Sequence, residues 1–136
     1  MSTPQPVCLK ASELRKIGIS DLKAYDADSM NVNVCRRGRV FVTRDSATSV
    51  YQYPASIWAN PFVVGDTPGK YPLEESLRLY QSHLDALLRK PDMRAKFLAL
   101  AFKRRIGCFC ALCELCHRDV ILQKLHFELT QEENQK

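Results

Sequence analysis

Four of the six cysteines and one of the three histidines fall within ten residues, in Cys108-Phe109-Cys110-Ala111-Leu112-Cys113-Glu114-Leu115-Cys116-His117. Thiolate and imidazole are soft metal ligands and strong nucleophiles, so this density points to chemistry. Three readings compete. In the first, Cys108, Cys110, Cys116 and His117, with Cys113 as an alternative, supply the four ligands that tetrahedral zinc takes from sulfur and nitrogen. Within it, Cys110-x-x-Cys113-x-x-Cys116 is similar to a ferredoxin run and brings in an iron–sulfur cluster, although no proline follows and the fourth ligand is not obvious. In the second, Cys116 is a nucleophile at a helix start, its pKa lowered by the helix dipole and by His117, with His117 or Asp119 in acid–base work. In the third, the cysteines are small buried hydrophobes and Asp119 merely favours the first turn of a helix. Cys35 joins such a site only if its strand neighbours the strand of Cys108; Cys8, His83 and His126 stand apart from it.

The elements that must position these residues fit one domain. The chain has 136 residues, 46% of them hydrophobic, enough for a single core. The N-terminal residues lack the charged and apolar regions of a signal peptide, and no apolar run reaches ~18 residues. The expectation is an intracellular protein, cytoplasmic or nuclear, with no membrane partner and with reduced thiols. The net charge of +5 is concentrated. Arg36, Arg37, Arg39 and Arg44 form one cluster and Lys103, Arg104 and Arg105 another, which suits a phosphate-bearing ligand or nucleic acid.

Residues 1–7, with Pro4 and Pro6, read as a mobile lead-in within an N-terminal extension over 1–29 that is partly helical and broken near Gly18. A domain over 30–130 follows, and a fraying tail over 131–136. Val32 and Val34, then Val40 to Val42, read as short strands around Gly38. Residues 44–71 show no helical period and read as an irregular segment that builds a site. Trp58 and Phe62 in it read either as core plugs or as pocket residues beside Asn60. Pro72 opens a helix whose leucines recur at spacings of three and four up to Leu88, and a second helix starts near Asp92. Arg105–Cys110 reads as a strand that turns Cys108 and Cys110 to one face. Val120, Ile121, Leu125 and Leu129 mark a helix starting near Cys116 or His117.

Several of these pieces resemble the domain-of-unknown-function family 4326 of bacteria, phages and large DNA viruses. They are Asn31-Val32-Asn33-Val34 with Arg36 and Arg37, Val40-Phe41-Val42-Thr43-Arg44, Trp58-Ala59-Asn60-Pro61-Phe62, Gly107-Cys108-Phe109-Cys110 and Cys116-His117-Arg118-Asp119-Val120. They span about residues 30–127 in the family's order. Thr43 and Ala59 replace glycines of the family pattern, the loop between Arg44 and Trp58 is longer, and Cys113 is an addition. The resemblance carries no activity. It implies one composite site from the arginines, the Asn-Pro-Phe loop and the Cys/His ending.

The expected fold is a small α/β domain with a short central sheet flanked by helices. The expected function is association with a nucleotide or nucleic acid. In that reading Arg37, Arg44, Trp58 and Asn60 bind the ligand beside a Cys/His metal or thiol site. The alternatives are a small enzyme acting on a nucleotide or modified base through Cys116, and a non-enzymatic structural or interaction subunit of an oligomer or larger assembly, viral or cellular; the two glycine replacements lean towards the last.

Overall fold

A computed structural model describes residues 3–110 and 116–134. It contains β1 (Gln5–Cys8), α1 (Ala11–Lys16), α2 (Leu22–Ala27), β2 (Asn31–Asn33), β3 (Gly38–Arg44), β4 (Ala47–Tyr53), α3 (Leu73–Leu87), α4 (Pro91–Leu98), a 3-10 turn over Ala99–Phe102, β5 (Arg105–Cys108) and α5 (His117–Asn134). Strands β1, β5 and β2 form a parallel sheet in that order, while β3 and β4 form a separate antiparallel hairpin. The expected small α/β domain, with a short sheet between helices, is the observed fold.

Central strand β5 separates two cores. Ile106 and Cys108 face the larger one, with Trp58, Tyr80, Leu84, Phe97, Ile121 and Leu125 from the Trp58 loop and from α3, α4 and α5. Val7, Leu9, Leu14, Leu22 and Tyr25 fill the smaller one beneath α1, α2 and the hairpin. Gly107 points at this second core, where a Cβ would come within 2.5 Å of Leu9 and 2.8 Å of Val7. The strand carries a glycine there because its neighbour's side chains already occupy the space.

The N-terminal lead-in is not mobile from Gln5 onward. Residues 5–8 pair in parallel with residues 105–108, and Gln5 and Leu9 donate backbone hydrogen bonds to Arg104 and Cys108. Pro6 sits at the alternate phase of this edge strand, where the ladder needs no N–H, so the prolines that suggested disorder are compatible with pairing. The helical stretch over 11–28 divides as expected. Gly18 takes a left-handed φ of +84° between α1 and α2, and Asp21 caps α2 by accepting from the Ala24 N–H at 2.9 Å.

Two further expectations fail. The segment 44–71 is not irregular throughout, because residues 47–53 form β4 against β3. The connection is the two-residue turn Asp45-Ser46, both with positive φ (52° and 65°), the geometry that matches the twist of paired strands. Asp-Ser lacks the glycine that advertises such a turn. The tail does not fray at 131 either: α5 continues to Asn134, and Glu132 binds Arg94 of α4 at 2.7 Å.

The second basic cluster is structural. Lys103 donates to the Ser29 carbonyl at 2.7 Å, Arg104 lies 4.0 Å from Asp28, and Arg105 donates to Asn31 at 3.2 Å. These contacts tie the start of β5 to the α2–β2 connection.

Candidate metal centre

All three strands of the parallel sheet run the same way, so their carboxyl ends share one edge, where parallel α/β sheets characteristically open a ligand crevice. β5 delivers Cys108 there, 2% exposed, and Cys110 follows just beyond the strand. Cys116 immediately precedes α5. The sulfurs of these three residues lie within 4.8 Å of one another, with Cys108 and Cys116 in contact at 2.7 Å. Sulfurs bound to one tetrahedral zinc ion at ~2.3 Å sit about 3.8 Å apart, a spacing within the 4.8 Å span of the cluster, although Cys108 and Cys116 would have to separate by about 1 Å to reach it. Three close cysteines of this kind could hold a metal ion.

His117 adjoins the cluster. Its Nε2 must donate to the Val34 carbonyl, 2.8 Å away, which leaves the Nδ1 lone pair facing the Cys116 sulfur at 3.5 Å. Zinc–sulfur and zinc–nitrogen bonds at a tetrahedral angle place the two donor atoms about 3.5 Å apart, which suits Nδ1 and Cys116, but His117 is not part of the group that lies within 4.8 Å, so the imidazole would have to close in on the trio to ligate with it. A backbone carbonyl that fixes the far ring nitrogen is the usual support for a ligating imidazole. Tyr80 meets the ring edge-on at 5.4 Å. Burial holds the imidazole pKa below its ordinary value, favouring the neutral form that ligates.

The electrostatics do not single out Cys116. The Cys108 hydrogen bond pulls its pKa down, but a hydrogen bond with Cys110 and burial outweigh this and push it up to about 11. Cys110 goes the other way: hydrogen bonds from Cys108 and Cys116, aided by the nearby Arg118 guanidinium, outweigh burial and hold it well below the thiol range. Cys108, hydrogen-bonded to Cys110 and to Cys116 and buried, is raised. Within the trio the hydrogen bonds thus favour the thiolate on Cys110, the most exposed of the three, over its two buried partners. The lowering expected for Cys116 at a helix start is not found, because two neighbouring sulfurs compete for the same charge.

Asp119 does not reach His117. Its carboxylate accepts from the Cys116 N–H at 3.1 Å while its own N–H donates to the Cys116 carbonyl, a reciprocal cap on the first turn of α5. The fully buried Arg118, which the sequence reading passed over, donates through Nη1 to the carbonyls of Val7 and Cys110, both at 3.1 Å, and lies 3.5 Å from Asp119. It thus fastens the cysteine turn to β1. Cys113 lies outside the described residues.

A cleft of about 360 Å³ opens over the cluster, with Cys35, Cys110 and His117 in its walls and Arg36 and Arg37 at its rim. Cys35 is there because β2 does neighbour β5; burial pushes its pKa up to about 12. Tyr53 and Phe109 also line the cleft, their rings 6.3 Å apart. The sequence offered no signal for Tyr53, which only the β3–β4 pairing brings in.

Of the four expected ligand-binding residues, Arg37 and Asn60 line the cleft and Trp58 and Arg44 do not. Trp58 is 4% exposed, set edge-on against Phe97. Arg44 donates two hydrogen bonds, 2.9 and 2.8 Å long, to Asp21. Asn60 donates to Ser76 at 2.9 Å, accepts from the Phe62 N–H at 2.9 Å, and lends its carbonyl to Arg36 at 3.0 Å. It shapes the loop that carries the rim.

The residues that build this centre and its cleft lie within one recognisable sequence unit. A family model described as Domain of unknown function (DUF4326) matches residues 21–126. The chain belongs to this family. No curated protein and no solved structure matches the chain. The DUF4326 span runs from the cap of α2 into α5 and includes every cysteine of the cluster, while β1 and α1 lie before it. Among the described residues no helix is long and apolar enough to cross a membrane.

Proposed function

We propose that this domain holds a zinc ion through Cys108, Cys110 and Cys116, completed by Nδ1 of His117, and receives a phosphate-bearing ligand of the nucleotide class at Arg36 and Arg37. The observation that carries the reading is the convergence of three sulfurs within 4.8 Å at the floor of a cleft with arginines on its rim. Zinc suits a trio of thiolates with one imidazole, whereas iron–sulfur clusters are usually held by four thiolates. Three thiolates and a divalent ion leave one net negative charge, which the buried Arg118 guanidinium offsets. Such a centre persists where thiols stay reduced, in cytoplasm or nucleus.

Metal analysis of protein purified under reducing conditions tests this. The expected result is one zinc per chain, lost in Cys108→Ser and Cys116→Ser. A metal-free protein would overturn it.

A second reading rests on the partial exposure of Cys110 and on the hydrogen bonds from Cys108 and Cys116, which lower its pKa. A small enzyme attacking a nucleotide or modified base would use Cys110 as the thiolate rather than Cys116. Metal-free protein whose Cys110 is alkylated faster than its other cysteines would favour that enzyme.

A further inference from the structure

The thiol cleft is not an isolated hollow. A second, shallower one of about 670 Å³ adjoins it, and Arg37 and Tyr53 line both. The second is continued by Arg39 and Gln52, which face each other across the hairpin. The next outward-facing pair is Phe41 and Val50, and Phe41 is 78% exposed although Val40 beside it packs against the smaller core and Val42 is buried. From the cysteine floor to the hairpin the surface therefore reads thiols, Arg37, arginine with glutamine, then a bare phenylalanine, while Tyr53, 8% exposed, turns to the core side of the hairpin.

The charge of this strip is one-sided. Neither hollow is lined by an aspartate or glutamate among the described residues. Arg37 and Arg39 make no hydrogen bond or ion pair among the described residues, and Arg36 spends one N–H on the Asn60 carbonyl. The other basic residues of these two clusters behave differently. Arg44 is clamped to Asp21, and Lys103, Arg104 and Arg105 are engaged at the start of β5. Unpaired arginines beside exposed and half-buried aromatic rings are the combination that binds a single-stranded backbone while its unstacked bases lie on ring faces. A duplex, with its bases already stacked, has no use for the phenylalanine.

We infer that the strip from Arg37 through Arg39 to Phe41 binds single-stranded nucleic acid and leads one nucleotide towards the cysteine centre. This rests on the proposal that the rim arginines meet phosphate, and it extends that ligand from one nucleotide to a chain.

The test uses the full chain as purified, a fluorescein-labelled oligo-dT, and anisotropy at several salt concentrations. Binding is expected to weaken with salt, and Arg37→Ala and Arg39→Ala should each reduce the slope of log K against log salt by about 0.7. Phe41→Ala, a change at a largely exposed residue outside the two cores, should weaken binding roughly fivefold or more at every salt concentration. Arg89→Ala, elsewhere on the surface, should change neither. Absence of oligonucleotide binding at low salt overturns the inference, as does equal affinity for a duplex of the same length. Indifference to both Arg39→Ala and Phe41→Ala also overturns it. Titration with pyrophosphate separates the two levels. If pyrophosphate binds and Arg37→Ala abolishes this while oligo-dT fails to bind, the strip is refuted and the phosphate rim stands. If neither binds, both fall.

Discussion

Replacing Asn60 with alanine tests whether this residue holds the cleft loop or touches ligand. The side chain is 8% exposed and spends both of its polar ends inside the protein, on Ser76 and on the Phe62 N–H. Loss of the bond to Ser76 removes about 1 kcal/mol, and stranding the Phe62 N–H adds about 1–3 kcal/mol. Asn60→Ala should therefore destabilise the domain by about 3 kcal/mol, a fall in Tm of about 10 °C for a chain of this size. Urea denaturation followed by far-ultraviolet circular dichroism reads the change. Ser76, fully buried, accepts from Asn60 and donates to the Phe62 carbonyl, so Asn60→Ala and Ser76→Ala should be non-additive. A double-mutant cycle should return a coupling of about 1 kcal/mol. The Asn60 carbonyl that accepts from Arg36 belongs to the main chain and survives the substitution, so pyrophosphate affinity of the folded protein should change little. A variant within 0.5 kcal/mol of the parent that no longer binds pyrophosphate would refute the reasoning and make Asn60 a ligand contact.

Other perturbations follow from particular contacts. Gly107→Ala drives a Cβ into Leu9 and Val7 and should destabilise the domain by about 1–3 kcal/mol, read by thermal melting; an unchanged Tm would mean that β1 can shift freely. Ser46→Gly relieves a left-handed φ in the hairpin turn and should stabilise by about 1 kcal/mol, whereas a loss would show that the Ser46 side chain matters. Asp21→Ala removes the α2 cap at a cost of about 1 kcal/mol. The Arg44 hydrogen bonds hold the Asp21 carboxyl below its ordinary value, so its contribution is complete above the carboxylate range and is lost as pH falls through the folded-state value. Parent and variant stabilities should converge in acid, and a constant gap would contradict the assignment. Cys35→Ser should retain the zinc that Cys110→Ser loses, because Cys35 lines the cleft without joining the trio.

Elements with their own periodicity were legible in the sequence. The leucine spacing of α3, the break at Gly18, the start of β5 and the start of α5 all stand where local pattern placed them, while β5 ends at Cys108 rather than Cys110. Partners remote in sequence were hidden. Strand β1 looked like a leader because its stability comes from β5, and β4 was masked by a turn without glycine. The same division runs through the site. Cys108, Cys110 and Cys116 are close in sequence and meet in space, with His117 beside Cys116. Cys35, Tyr53 and Arg118 acquire their places only through strand pairing and a buried guanidinium. Trp58 and Arg44 carried ligand-like chemistry in the sequence, yet the fold uses them for packing and for an ion pair.

The position of β5 between β1 and β2 bears on how the polypeptide is made. Gln5 pairs with Arg105, a hundred positions later, and β2 needs the same strand. At about 5–20 residues per second, synthesis leaves β1 without its neighbour for roughly 5–20 s. During that interval Cys8 and Leu9, buried in the finished domain, belong to an unpaired apolar edge on the nascent chain. The strand that creates the sheet is also the strand that brings in Cys108. Completion of the sheet and assembly of the thiol trio are thus one late event, and zinc supplied earlier would meet cysteines that have not yet converged.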